Sequence, residues 1–301
     1  MQLDIFEHSR DIMLRNDVLH ALERGDVAEA AAAWQRFTGE YPLDISLHPL
    51  DVLIAALAQR TADVFPHHDA LRETRLRLID EVEPAALRLF GEAAGRAWLV
   101  PLWRQTAERA APLAFIAGKN EDHAAPLWLR AGEWAQATSA VEGIESWRRI
   151  PAPLAWMAEA RCRLGAAAAR DGGLEANWGL LAELAWLSPA RFDALTQGLA
   201  DPMLARLRKK FDASFEGTVE SAGDVDDLAW FPAWVLTEEP GLARCLGQAH
   251  PSLNTEPERA TRLMLDLLSL ERQGRHHDMV AKRKLLRDAS ASLYAAYMKT
   301  R

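Results

Sequence analysis

The triplet His-His-Asp occurs twice, as His67-His68-Asp69 and as His276-His277-Asp278. Imidazole and carboxylate at adjacent helical positions are donors that hold a divalent metal ion, which then activates water for attack on phosphorus. Such a centre needs further ligands, for which His48 and Asp80 can be nominated. Each triplet also follows a turn signal, Pro66 or Gly274, where His and Asp serve as ordinary first-turn helix residues. Other chemistry has little to hold on to. The chain carries no glycine-rich phosphate loop, no GxSxG elbow and no HExxH. Cys162 and Cys245 lie singly inside apolar helical patterns, which reads as two reduced thiols and not as a disulfide or zinc site.

The charge balance narrows the partners. A net charge of -8 and only 35 Lys and Arg among 301 residues argue against a dedicated nucleic-acid binder, which needs a surplus of cations on one face. Two basic runs, Arg206 to Lys210 and Lys282 to Arg287, read as solvated helix surface in so acidic a chain. The N-terminal stretch contains acids and no apolar core of signal-peptide length, and no segment approaches the ~18 apolar residues of a membrane span. The expected setting is the cytoplasm, with no membrane contact and no cofactor. Eleven tryptophans against three tyrosines suit gaps between packed helices, and the pairs Trp98/Trp103, Trp128/Trp134 and Trp230/Trp234 are expected to pack there.

Apolar residues recur at helical spacing almost throughout, as in Leu263, Met264, Leu267 and Leu268, and alternating β-branched runs are missing. The chain is therefore expected to be all-α, with breaks where Gly, Pro, Asp and Asn cluster. Asp26, Ser188, Asp201 and Thr255 stand where helix N-caps belong. The acidic segment 216–227 interrupts the pattern most strongly. It divides a helical-hairpin region, 1–215, from a C-terminal helical subdomain, 228–301. Its carboxylates lack the ligand order of a calcium loop and read as a solvated linker.

One unit recurs. "GDVAEA" at 25 to 30 and "GEWAQA" at 132 to 137 share a Gly, an acid and two alanines at the same spacing. The Gly takes the turn between antiparallel helices, the acid favours the next N-terminus, and the alanines permit close approach. Gly172 precedes Pro189 by the same interval that separates Gly25 from Pro42, and Leu164-Gly165 lie one helix before that turn. This pattern resembles the tetratricopeptide repeat, with Gly25, Ala30, Trp34 and Pro42 as one copy, Gly132 and Ala137 as a second, and Leu164, Gly165, Gly172 and Pro189 as a third. Val18, where the repeat has a small glycine, and Asn177, where it has an early alanine, depart from it.

The resemblance implies stacked antiparallel helix hairpins, an α-solenoid or right-handed helical superhelix, whose first helices line a concave groove. Projected on that register, Arg15, Glu23, Arg130, Glu159 and Arg170 face the groove. Their arginines imply capture of an acidic or C-terminal carboxylate segment of another protein, without catalysis. A surface that binds proteins can also bind a second copy of the chain. The two His-Asp pairs also resemble those of the HD-domain phosphohydrolases, another all-α family, and imply the alternative of a metal-dependent hydrolase.

Overall fold

The structure, a computed structural model, describes residues 3–59, 63–167, 175–215, 225–251 and 253–301, with side chains from Arg10 onward except Glu175. All regular elements among them are helical, as the periodicity predicts. None of these helices is long and apolar enough to cross a membrane. The chain forms two compact units, Met1–Glu133 and Trp134–Arg301. That division falls inside the stretch 1–215 that the sequence treats as one region. Of the acidic segment, 216–224 lie outside the described residues, and Val225–Trp230 form a 3-10 helix.

The first unit opens on a hairpin of α1 (Leu3–Glu23) and α2 (Val27–Glu40). Gly25, at φ +70°, donates to the Leu22 carbonyl and Asp26 N–H reaches back to Ala21, the paired bonds that close a helix on a left-handed residue. Asp26 then caps α2 by accepting from Glu29 N–H at 2.9 Å. Buried Ala30, Ala33 and Phe37 form the face of α2 that meets α1. The same turn recurs at Gly132, where Glu133 N–H bonds the Trp128 carbonyl. In the second unit it recurs at Gly274, where Arg275 N–H bonds the Leu270 carbonyl.

After α3 (Leu47–Ala58) come α4 (His68–Arg77), a π-helical turn over Leu78–Val82, and α5 (Glu83–Phe90), without a break between them. Pro84, the second residue of α5, has no N–H for the carbonyl four residues back, and the wider turn absorbs that misfit. α6 (Glu92–Ala110) returns against α5, and α7 (Ala124–Arg130) packs on α6.

The second unit holds α8 (Trp134–Glu142), α9 (Pro151–Ala167), α10 (Trp178–Leu187), α11 (Pro189–Gly198), α12 (Pro202–Ser214), α13 (Phe231–Glu238), α14 (Ala243–Leu246), α15 (Glu256–Arg272), α16 (His276–Ala289) and α17 (Ala291–Lys299). α10 is buried at every position from Trp178 to Trp186, as a helix apolar all round must be. Phe231 lies at its hub, 6.2 Å from Trp178, 5.6 Å from Phe192 and 5.4 Å from Phe211 between ring centres. The one acid of α10, Glu183, accepts two bonds from Arg148 and one from the His250 N–H, so its charge is compensated. None of the 11 tryptophans is exposed, and arginines cover several, with Arg163 over Trp134 and Arg262 over Trp186.

Gly95 of α6 lies close to the α5 backbone: an added Cβ would stand 2.8 Å from the Ala86 carbonyl oxygen. Nothing lies within 4 Å of a Cβ at Gly39 of α2. Gly95→Ala is therefore expected to lower stability by roughly 1–3 kcal/mol. Gly39→Ala should raise it by about 0.5 kcal/mol. Urea unfolding monitored by circular dichroism checks both, and equal effects would contradict the packing.

Candidate functional site

The first His-His-Asp triplet builds structure. His67 Nδ1 caps α4, accepting from Ala70 N–H at 3.2 Å. His68 Nε2 lies 2.8 Å from the Ala114 carbonyl, and Asp69 pairs with Lys119 at 3.0 Å, both partners being in the loop that follows α6. That contact holds the Asp69 carboxyl below its usual range, first by the hydrogen bond from Lys119 and then by its charge. In the second triplet, His276 and His277 are exposed in the first turn of α16, and Asp278 pairs with Arg275. His48 and Asp80 are exposed on α3 and in the π turn. Among the described residues no three His, Cys, Asp or Glu side chains gather closely enough to hold a metal ion.

Within the loop that receives α4, Asp122 is 2% exposed. Arg72 donates to it at 2.9 Å and Arg75 at 3.1 Å and 3.3 Å. Its neighbour His123 caps α7, accepting from Ala125 N–H at 3.2 Å. Burial first, and then the charge of His68, push the His123 imidazole down to about 4. Cys162 is no nucleophile, because burial above all raises its thiol to about 12.

Of the five residues projected on a groove, Arg15, Glu23 and Arg130 fall in the first unit and Glu159 in the second. Arg130 stacks over Trp103 at 4.9 Å and pairs with Glu83 at 3.4 Å, inside the first unit. Glu159 belongs to the second unit and is taken up by Arg163 at 2.9 Å. Arg15 and Glu23 lie on α1, eight residues apart, without an ion pair among the described residues. Arg170 and the Gly172 turn are outside the described residues. Pro189 starts α11, while Leu164 is 36% exposed. The basic runs are paired as well: Arg206 with Glu239, Lys210 with Glu238 and Lys282 with Asp266.

A different concavity is present in the first unit, a cleft of about 440 Å³ between the end of α3, one face of α4 with the π turn, and α6. Leu78, Val82 and Leu102 give it an apolar floor, and Glu73, Arg77 and Arg109 bring charge to its walls. The Phe65 N–H bonds the Arg109 carbonyl at 3.1 Å, so the segment that leads into α4 meets the end of α6. Arg77 is occupied, bonded to Gln59 and 3.7 Å from Glu81. Arg109 is held differently. Its guanidinium lies 4.0 Å over the Phe65 ring and Nε donates to the Asp63 carbonyl at 2.7 Å, yet no carboxylate pairs with it among the described residues. Burial lowers its pKa, against a smaller opposing effect of Asp63. A positioned, partly desolvated guanidinium offers a planar pair of donors whose spacing matches a carboxylate. The sequence shows both stripes, Glu73-Thr74-Arg77-Leu78 and Leu102-Gln105-Thr106-Arg109, as helical periodicity, but not that they face each other.

No protein-family model matches the chain, no curated protein matches it, and no solved structure matches its fold.

His123 makes a pH signature. Its folded pKa lies below the ordinary 6.5, so the unfolded chain binds the proton first. The associated stability is present above pH 6.5 and is lost as the pH falls towards 4. Between pH 7.5 and pH 5 the loss from this group should be about 2 kcal/mol. His123→Asn, which keeps a capping acceptor, should remove most of that slope in urea titrations. An unchanged slope would mean that His123 titrates normally in the folded protein.

Proposed function

We propose that the chain is a non-catalytic, cytoplasmic binding module of stacked helix hairpins, of the tetratricopeptide kind, that takes up a carboxylate-bearing segment of another protein in the α4/α6 cleft. The observation that carries this reading is Arg109, fixed by Phe65 and Asp63 and lacking a carboxylate partner among the described residues, beside an apolar floor. The guanidinium supplies a planar two-pronged donor for a carboxylate, and Leu78, Val82 and Leu102 bury the side chain that accompanies it. The two free cysteines suit a reducing compartment. Relative to the groove first projected from the repeat register, the binding residues move from Arg130 and Arg170 to Arg109.

The test is a calorimetric titration with acetyl-Ala-Leu-Ala carrying a free carboxylate, compared with its C-terminal amide. Binding by the acid, weakened about tenfold or more in the amide and in Arg109→Glu, is the expected result. Equal binding of acid and amide, or an undiminished affinity in a folded Arg109→Glu protein, would remove the reading.

A further inference from the structure

We infer that the cleft is selective for a C-terminal carboxylate accompanied by a cationic side chain, that is, for a chain ending in lysine or arginine. This rests on the carboxylate reading of Arg109 and adds the partner's second charge. Glu73 lines the same cleft and has neither an ion pair nor a hydrogen bond among the described residues. The arginines next to it in sequence and one turn on are engaged elsewhere, Arg72 with Asp122 and Arg77 with Gln59 and Glu81. Glu73 and Arg109 do not pair with each other, although both belong to this one concavity.

The cleft thus presents one carboxylate and one guanidinium that have no partner of opposite charge among the described residues. A ligand with only a negative charge meets Arg109 favourably and Glu73 unfavourably, whereas a ligand with both charges satisfies both walls. Arg109 of α6 lies by the segment that leads into α4, and Glu73 lies less than two turns into that helix, so the two charges line one cleft from different helices without pairing. Their complement is a C-terminal carboxylate with a lysine or arginine side chain extending from the same residue or the one before. Leu78, Val82 and Leu102 cover the methylene stem of such a side chain, which stays apolar up to its charged end. The volume of about 440 Å³ is in the range of clefts that hold a few residues.

The experiment compares acetyl-Ala-Leu-Lys carboxylate, acetyl-Ala-Leu-Ala carboxylate and free lysine on the whole chain, in wild type, Glu73→Gln and Arg109→Glu, each confirmed folded by its thermal melt. Wild type is expected to bind the lysine peptide about tenfold more tightly than the alanine peptide, and Glu73→Gln to reduce that preference to less than about twofold, with the alanine peptide bound at least as tightly as by wild type. Equal affinity for both peptides in wild type would overturn the selectivity while leaving the carboxylate reading in place. Loss of both peptides' binding in wild type would overturn both readings. Free lysine binding more tightly than the peptide would overturn the protein-segment occupant in favour of a small zwitterion.

Discussion

Asp122 is a carboxylate with almost no water contact, and the guanidiniums of Arg72 and Arg75 close on it from α4. An unpaired charge in that position costs several kcal/mol, so the loop before α7 and the helix α4 are mutually dependent. The dependence matters because α4 has little apolar surface of its own to bury. Leu71 is its one buried side chain. A helix normally docks through an apolar stripe, and this one docks through polar ties: Arg72 and Arg75 to Asp122, His68 to the Ala114 carbonyl, and Asp69 to Lys119. Those ties fix which face of α4 is turned to α6. The face that remains carries Glu73, Thr74 and Arg77 into the cleft.

The second unit solves a similar problem with the opposite balance. α10 is wrapped on all sides, and its aromatic surroundings of Phe192, Phe211, Phe231 and Trp234 supply the apolar area. Glu183 is the exception within it and is answered by Arg148 and a backbone N–H. Here the polar group serves a core that burial already holds together. In the first unit the buried carboxylate sets the position of a helix that burial alone would leave weakly placed. That contrast is why the candidate site belongs to the first unit, where a polar face is left over after docking.

Much of this was legible in the residue order. Helical periodicity identified the helices, and Asp26, Asp201 and Thr255 do cap the helices they precede. The echo between Gly25 and Gly132 corresponds to the same pair of backbone bonds at both turns. Gly274 makes those bonds too, but an arginine follows it in place of an acid, so the shared pattern did not extend to it. The engagement of Arg130 was not legible, because a helical register says which way a side chain points and not whether an indole or carboxylate already waits there, as Trp103 and Glu83 do. The cleft was hidden for a related reason. Glu73 and Arg109 are 36 positions apart, and only the fold makes their helices neighbours.

The most direct measurement is of the Arg109 guanidinium itself. The Nε–H resonance of Arg109 in a ¹⁵N-labelled protein, assigned from its disappearance in Arg109→Lys, should shift progressively as the lysine-ended peptide is added and saturate with the calorimetric affinity. A saturating titration in which the Arg109 resonance stays in place, while signals on α1 or α16 move, would contradict the account and put the binding surface elsewhere.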